Sequence, residues 1–130
     1  MMDFPDCVPS ALAQALETKG YAALTDVQTA VLADDASGAD LLVSARTGSG
    51  KTVAFGLAMC ADLLAGEPAL GGAAAPLALV IAPTRELALQ VERELSWLYA
   101  KAGGRLASCV GGMDARTERR ALQRGAHIVV

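Results

Sequence analysis

The stretch SARTGSGKT, residues 44–52, lies between two apolar runs, LLV at 41–43 and VAFGLAMC at 53–60. Its glycines weaken any strand or helix that contains them, and the ammonium group of Lys51 is expensive to leave in a core. A strand, a glycine-rich turn and a helix N-terminus in that order gather backbone N–H groups at one point. The positive end of the helix dipole lies behind them. Glycine admits positive φ and lets a bulky anion approach the backbone. The stretch therefore predicts a strand at 41–44 buried on both faces, a phosphate-cradling turn and a helix packed deep against a sheet from Val53 to Leu64.

The residues follow the pattern GxxxxGK[ST], with Ala45 at the first position, where ordinary φ suffices. Thr47, Gly48, Ser49, Gly50 and Lys51 are then the groups around the phosphates of a nucleotide. Lys51 reaches the β- and γ-phosphates and the Thr52 hydroxyl ligates Mg²⁺, which makes these two the catalytic candidates. The plain alternative is a glycine turn carrying a solvated lysine. By itself the loop suits any P-loop NTPase, whether kinase, GTPase, transporter or helicase.

Elsewhere the pattern alternates between strand and helix. LALVIA (77–82) reads as a second buried strand stopped by Pro83, RLASCV (105–110) as a third that ends at Gly111-Gly112, and HIVV (127–130) as the opening of a fourth. Helices are expected from Ser10 to Gly20, from Thr25 to the DDASG break, along the stripe Leu87, Val91, Leu95 and Leu98, and from Asp114 to Arg124. GEPALGGAAAP (66–76) reads as a flexible surface loop. Alternation of this kind predicts an α/β fold, a parallel sheet with helices on both faces.

One modest domain fits the 130 residues, and 53% apolar content supplies a core. A net charge of −3 argues weakly against a protein coated in nucleic acid but leaves room for a local groove. Cys7, Cys60 and Cys109 form no CxxC pair, as expected of reduced thiols in a cytoplasmic protein. No apolar run approaches a membrane span and MMDFPDC lacks the basic start of a signal peptide, so no membrane partner is expected.

Three further stretches resemble one family. GYAALTDVQ (20–28) resembles the adenine-reading Q motif of DEAD-box RNA helicases, ARTGSGKT (45–52) their motif I and PTRELALQ (83–90) their motif Ia. Gly111-Gly112 resembles the GG element of the same family. The resemblance covers nearly the whole chain. It implies a RecA-like P-loop fold, ATP and Mg²⁺ as cofactors, and single-stranded or duplex RNA as partner. Residues 1–36 would then carry the Q-motif helices and 37–130 part of the ATP-binding domain.

The amide of Gln28 presents one donor and one acceptor, matching the N6 donor and N7 acceptor of adenine. Thr25-x-x-Gln28 is equally a capping box, in which Gln28 bonds back to its own helix start. Tyr21 offers a face for the base or, alternatively, a staple into the core. Phe4 resembles the isolated upstream aromatic of the family, or is a tail residue packed on the domain. Leu24 and Asp26 stand where the family often has prolines, which bears on the shape of that loop.

The resemblance assigns Thr84, Arg85, Gly111 and Gly112 to the sugar-phosphate backbone of single-stranded RNA. The alternatives are an N-cap at Thr84 and a surface charge at Arg85. Arg116, Arg120 and Arg124 share a helix face and read as solvated, and the lone His127 reads as structural.

No DEAD, DExD or DExH sequence occurs among these residues, nor do the SAT and TPGR elements of the family. The segment is thus expected to be part of a longer helicase, able to contact nucleotide but not to hydrolyse it or open a duplex. It is also expected to expose strand edges and self-associate. A DNA-directed helicase or translocase of the same superfamily, or a non-catalytic nucleotide-binding module, are the other readings.

Overall fold

The computed structural model describes residues 3–112 and 114–130. Three short parallel strands, β1 (Ala78–Leu79), β2 (Leu106–Ala107) and β3 (Ile128–Val129), lie in the order β1-β3-β2. The last strand in sequence is thus the central one: Ile128 faces Ala78 on one side and Leu106 on the other. The helices among the described residues are α1 (Ser10–Thr18), α2 (Asp26–Val31), α3 (Lys51–Ala58), α4 (Cys60–Leu64), α5 (Arg85–Tyr99) and α6 (Ala115–Gln123).

Side chains alternate across β3, and that alternation separates two layers. Ile128 and Val130 enter the main core with Leu12 and Leu16 of α1, Leu57 of α3 and Leu95 and Leu98 of α5. Val129 points the other way, joining Ala107, Ala126 and the half-buried Ala121 of α6. Helices on both faces of a parallel sheet are therefore present. Phe4, Val8 and α1 pack into the same core as α5, so residue 36 marks no boundary in packing.

The expected strand at 41–44 does not form. Leu41 is 45%, Leu42 101% and Val43 41% exposed, and the segment has no regular structure and no ladder partner among the described residues. A strand exists only by bonding its backbone to a neighbour. LALVIA, expected to be a buried strand, is half-buried on one face and exposed on the other. Ala78, Val80 and Ala82 turn toward the core, whereas Leu77, Leu79 and Ile81 are 57%, 69% and 85% exposed. On that face α6 packs against β2 and β3, where Ala121 meets Ala107 and Val129, while the outward side chains around β1 stay exposed.

Ser10 begins α1 as expected, with Pro9 at the N-cap. One smaller expectation changes. The loop 66–76 is tethered: the Leu70 N–H donates to Ala102 O at 2.8 Å, and Gly71 O lies 2.8 Å from His127 Nε2. His127 Nδ1 accepts from the Arg105 N–H at 3.0 Å, so Nε2 carries the hydrogen that bonds to Gly71. With both ring nitrogens engaged and the residue buried, His127 is structural.

The helix expected from Val53 to Leu64 breaks at Met59 into α3 and α4. The carbonyl of Gly56, which an unbroken helix would offer to the Cys60 N–H, accepts from the buried Tyr99 hydroxyl at 2.6 Å. Burial raises the pKa of that hydroxyl, and neighbouring Cys60 adds to the shift. Burial likewise pushes the Cys60 thiol up to about 11, with Cys7 adding to the shift. A Cβ on Gly56 would stand 2.7 and 2.8 Å from the methyl groups of Leu98 and Leu95, so α3 and α5 meet as closely as they do only because residue 56 has no side chain. No helix among the described residues is long and apolar enough to cross a membrane.

Tyr99→Phe is expected to lower stability by about 1–3 kcal/mol by stranding the Gly56 carbonyl. Gly56→Ala is expected to cost a similar ~1–3 kcal/mol by overpacking the α3–α5 contact. Urea midpoints at constant slope measure both, and an unchanged midpoint in either variant would remove that contact from the account.

Candidate functional site

The phosphate turn is built as the glycines require. Gly48 and Gly50 both have φ of +83°, and Gly50 is the left-handed N-cap of α3. Ser49 N–H donates to Arg46 O at 3.1 Å and closes the turn. Lys51, the first residue of α3, folds back so that Nζ donates to Ala45 O at 2.7 Å. Its ammonium thus lies over the loop, where an anion would meet it. Thr52 is half-buried on the same first turn, and Ser49 Oγ is buried without a hydrogen-bond partner among the described residues.

Helix α2 is tied to this turn through Gln28. Thr25 Oγ1 accepts from the Gln28 N–H at 3.4 Å, and Gln28 Oε1 accepts from the Thr25 N–H at 3.0 Å, a complete capping box. Gln28 Nε2 then donates to Gly50 O at 3.2 Å. The side chain is 0% exposed, and a Cβ on Gly50 would collide with its amide nitrogen. Glycine at position 50 thus serves both its positive φ and its contact with Gln28.

A cleft of about 700 Å³ opens beside the turn. Tyr21, Thr47, Gly48, Gly50, Lys51 and Thr52 line one part of it, and Val80–Pro83 with Gln90 and Glu94 of α5 line another. Tyr21 is half-buried; burial raises its pKa, the charge of Glu94 adds to the rise and the Gln28 amide partly offsets it. Gln90 and Glu94 were legible only as polar positions on the expected helix. Their four-residue spacing puts them on one face, but nothing in the sequence shows that the face looks onto the phosphate turn. Ala45 contributes its carbonyl to Lys51 and does not line this cleft. Phe4 packs against the main core, as a tail residue would.

The second set of expected residues also converges. Thr84 Oγ1 accepts from the Leu87 N–H at 3.2 Å, the N-cap of α5. Arg85 lies against Gly112, where its guanidinium fills the space that a Cβ would need. Thr84, Arg85 and Gly111 line a shallower cleft of about 430 Å³ with Cys109 and Val110. Glu118 of α6 accepts from the Val110 N–H at 2.9 Å, anchoring the chain before Gly111-Gly112. Burial raises the pKa of the Cys109 thiol, and the charge of Glu118 adds to the rise. Residues 80–83, at the end of β1, line both clefts, so one strand end separates the two sets. Arg116, Arg120 and Arg124 are exposed and join neither.

The sequence profile of the DEAD/DEAH box helicase family matches residues 25–130. The chain belongs to that family. Among curated relatives, it is 41% identical over 127 residues to the chloroplastic DEAD-box ATP-dependent RNA helicase 3A of Zea mays, covering 95% of this chain and 16% of that protein. It is 40% identical over 119 residues to the ATP-dependent rRNA helicase rrp3 of Emericella nidulans, covering 92% of this chain and 24% of that one.

Of solved structures, the RNA helicase Prp28 from Chaetomium thermophilum bound to ADP superposes with a TM-score of 0.81 at 34% identity, covering 100% of this chain and 32% of the other. The yeast DEAD-box splicing factor Prp28 gives 0.78 at 26% identity, over 96% of this chain and 31% of the other. The DEAD-box chain described here therefore has the RecA-like α/β fold and spans a quarter or less of the length of these curated relatives.

In this DEAD-box chain Gln28→Ala is expected to cost about 1–3 kcal/mol without any ligand, because it leaves the Thr25 N–H without its partner and removes one of the two hydrogen bonds to the Gly50 carbonyl, which also accepts from the Ala54 N–H at 2.9 Å. A thermal melt in ligand-free buffer measures it. A melting temperature equal to that of the unsubstituted chain would mean that the amide holds nothing in place.

Proposed function

We propose that this chain is an ATP-binding and RNA-contacting segment of an ATP-dependent RNA helicase. The observation that carries the reading is the meeting of Tyr21, the turn 47–52 and the first residues of α3 around one cleft. Backbone N–H groups at the start of α3 and the Lys51 ammonium suit the phosphates, and the Tyr21 ring suits a base. Thr52, on the first turn of α3, fits as one oxygen ligand to Mg²⁺, which when bound neutralises charge on the β- and γ-phosphates. Gln28 is the adenine-reading group in this proposal. Its amide already bonds Thr25 and Gly50, which leaves one N–H and one oxygen lone pair for adenine, and its full burial means that the base must gain access to them by a local shift.

The cleft at Thr84, Arg85, Gly111 and Gly112 supplies a guanidinium and accessible backbone to sugar-phosphate without any base-reading arrangement. Such contacts position a strand and leave its sequence unread. The names of the curated relatives, RNA helicases in each case cited, agree with this partner. Hydrolysis and duplex opening are proposed for the longer protein.

Calorimetry with Mg²⁺-nucleotides tests the reading: ATP binds, GTP binds much more weakly, and Lys51→Ala abolishes both. Equal affinity for ATP and GTP, or a Lys51→Ala variant that still binds, refutes it. Arg85→Ala is expected to weaken single-stranded RNA uniformly across sequences and to lower the salt slope of binding by about 1, with ATP affinity unchanged. Fluorescence anisotropy at several salt concentrations reads this out, and an unaltered slope would take Arg85 off the RNA path.

A further inference from the structure

Building on the nucleotide reading, we propose that Trp97 is a positioning residue that holds the Tyr21 ring at the base end of the cleft, with Lys19 in turn holding Trp97. The ring centroids of Tyr21 and Trp97 are 6.1 Å apart and their planes are tilted by 35°, within the range over which aromatic pairs attract. Lys19 Nζ stands 5.3 Å from the centre of the Trp97 ring, within reach of a cation–π attraction. The three side chains form one row running from solvent to the cleft.

The backbone fixes this row from two helices. Lys19 is the C-cap of α1, an end at which a cation also meets the negative pole of the helix. Gly20 turns the chain with φ of +90°, and the Tyr21 N–H returns to Leu16 O at 3.0 Å. The Tyr21 backbone is thereby fastened to α1, while its ring rests on Trp97 in the last turn of α5. Glu94, one turn earlier on α5, lines the cleft together with Tyr21. Trp97 and Lys19 do not line it; they border a separate shallow hollow on the outer side of α5. They therefore act on a ligand only through Tyr21.

The consequence is specific to the base. A ring that must be immobilised on stacking loses rotamer entropy, whereas a ring already held does not. Phosphate groups at Lys51 gain nothing from it. Removing Trp97 should thus weaken ligands that carry a base and spare those that are phosphate alone.

The test is calorimetry on the full chain with Mg²⁺-ATP and with inorganic tripolyphosphate. Trp97→Ala is expected to weaken ATP about five- to tenfold and to leave tripolyphosphate unchanged, with Trp97→Phe restoring most of the loss. In a Tyr21→Leu background, Trp97→Ala should add nothing, because the partner through which it acts is gone. Trp97 is the single tryptophan of the sequence, so its fluorescence in the unsubstituted chain should change on adding ATP and stay constant with tripolyphosphate, whether or not Trp97→Ala folds. Equal weakening of both ligands, no weakening of ATP, an additive effect with Tyr21→Leu, or a fluorescence response indifferent to ATP would overturn the stack. Were the unsubstituted chain to bind tripolyphosphate and ATP equally well, the stack and the base reading would fall and the phosphate turn would stand. Were it to bind neither, the nucleotide reading would fall with it.

Discussion

The close approach of α3 to α5 at Gly56 sets the position of everything that follows it in the site. Helix α3 begins at the phosphate turn, and its direction decides where the turn points. Leu95 and Leu98 press against residue 56, where a methyl group would already be too large, and the Tyr99 hydroxyl takes the carbonyl of the same residue. Helix α5 begins at the end of β1, with Thr84 as its cap and Arg85 as its first residue. One helix pair therefore carries the phosphate turn on its first member and the Arg85 contact on its second. The two clefts are held in fixed relation by this apolar packing, which adjoins the larger cleft at Phe55 and Glu94.

Polar ties then refine what packing sets. Gln28 joins α2 to Gly50, so the segment ahead of the turn is fastened to the turn itself. Its Oε1 satisfies the Thr25 N–H at the helix start, and its Nε2 adds a second bond to a Gly50 carbonyl that already accepts from the Ala54 N–H. Tyr21, Trp97 and Lys19 make a comparable tie from α1 to α5. In both cases a residue near the cleft is positioned by one that stands behind it.

The uncovered row Leu77, Leu79 and Ile81, with Leu41, Leu42 and Val43, is the chief departure from a closed α/β layer. Strand β1 is an edge of the sheet, and the segment 41–44 finds no ladder partner among the described residues. The apolar character of these residues was plain in the sequence. What a run of leucine and valine cannot state is which neighbour will bond its backbone, since that neighbour belongs to another part of a chain.

Local chemistry, by itself, determined the phosphate turn, the caps at Thr25 and Thr84, the glycines that end α1 and α6, the stripe of α5 and the parallel alternation of strand and helix. Each of these depends on residues within a turn or two of one another, and the order of the motifs carried the family. Only the tertiary structure decided that the final strand lies in the centre of the sheet, that the expected long helix breaks at Met59, and that Gln28 is shared between its own cap and Gly50. Likewise only folding brought Glu94 to the cleft and Trp97 behind Tyr21. The physical reason is range. Hydrogen bonds along a helix and positive φ at glycine are written in neighbouring residues, whereas stacking, ladder pairing and burial join positions far apart in sequence, and those exist only once the helices have packed.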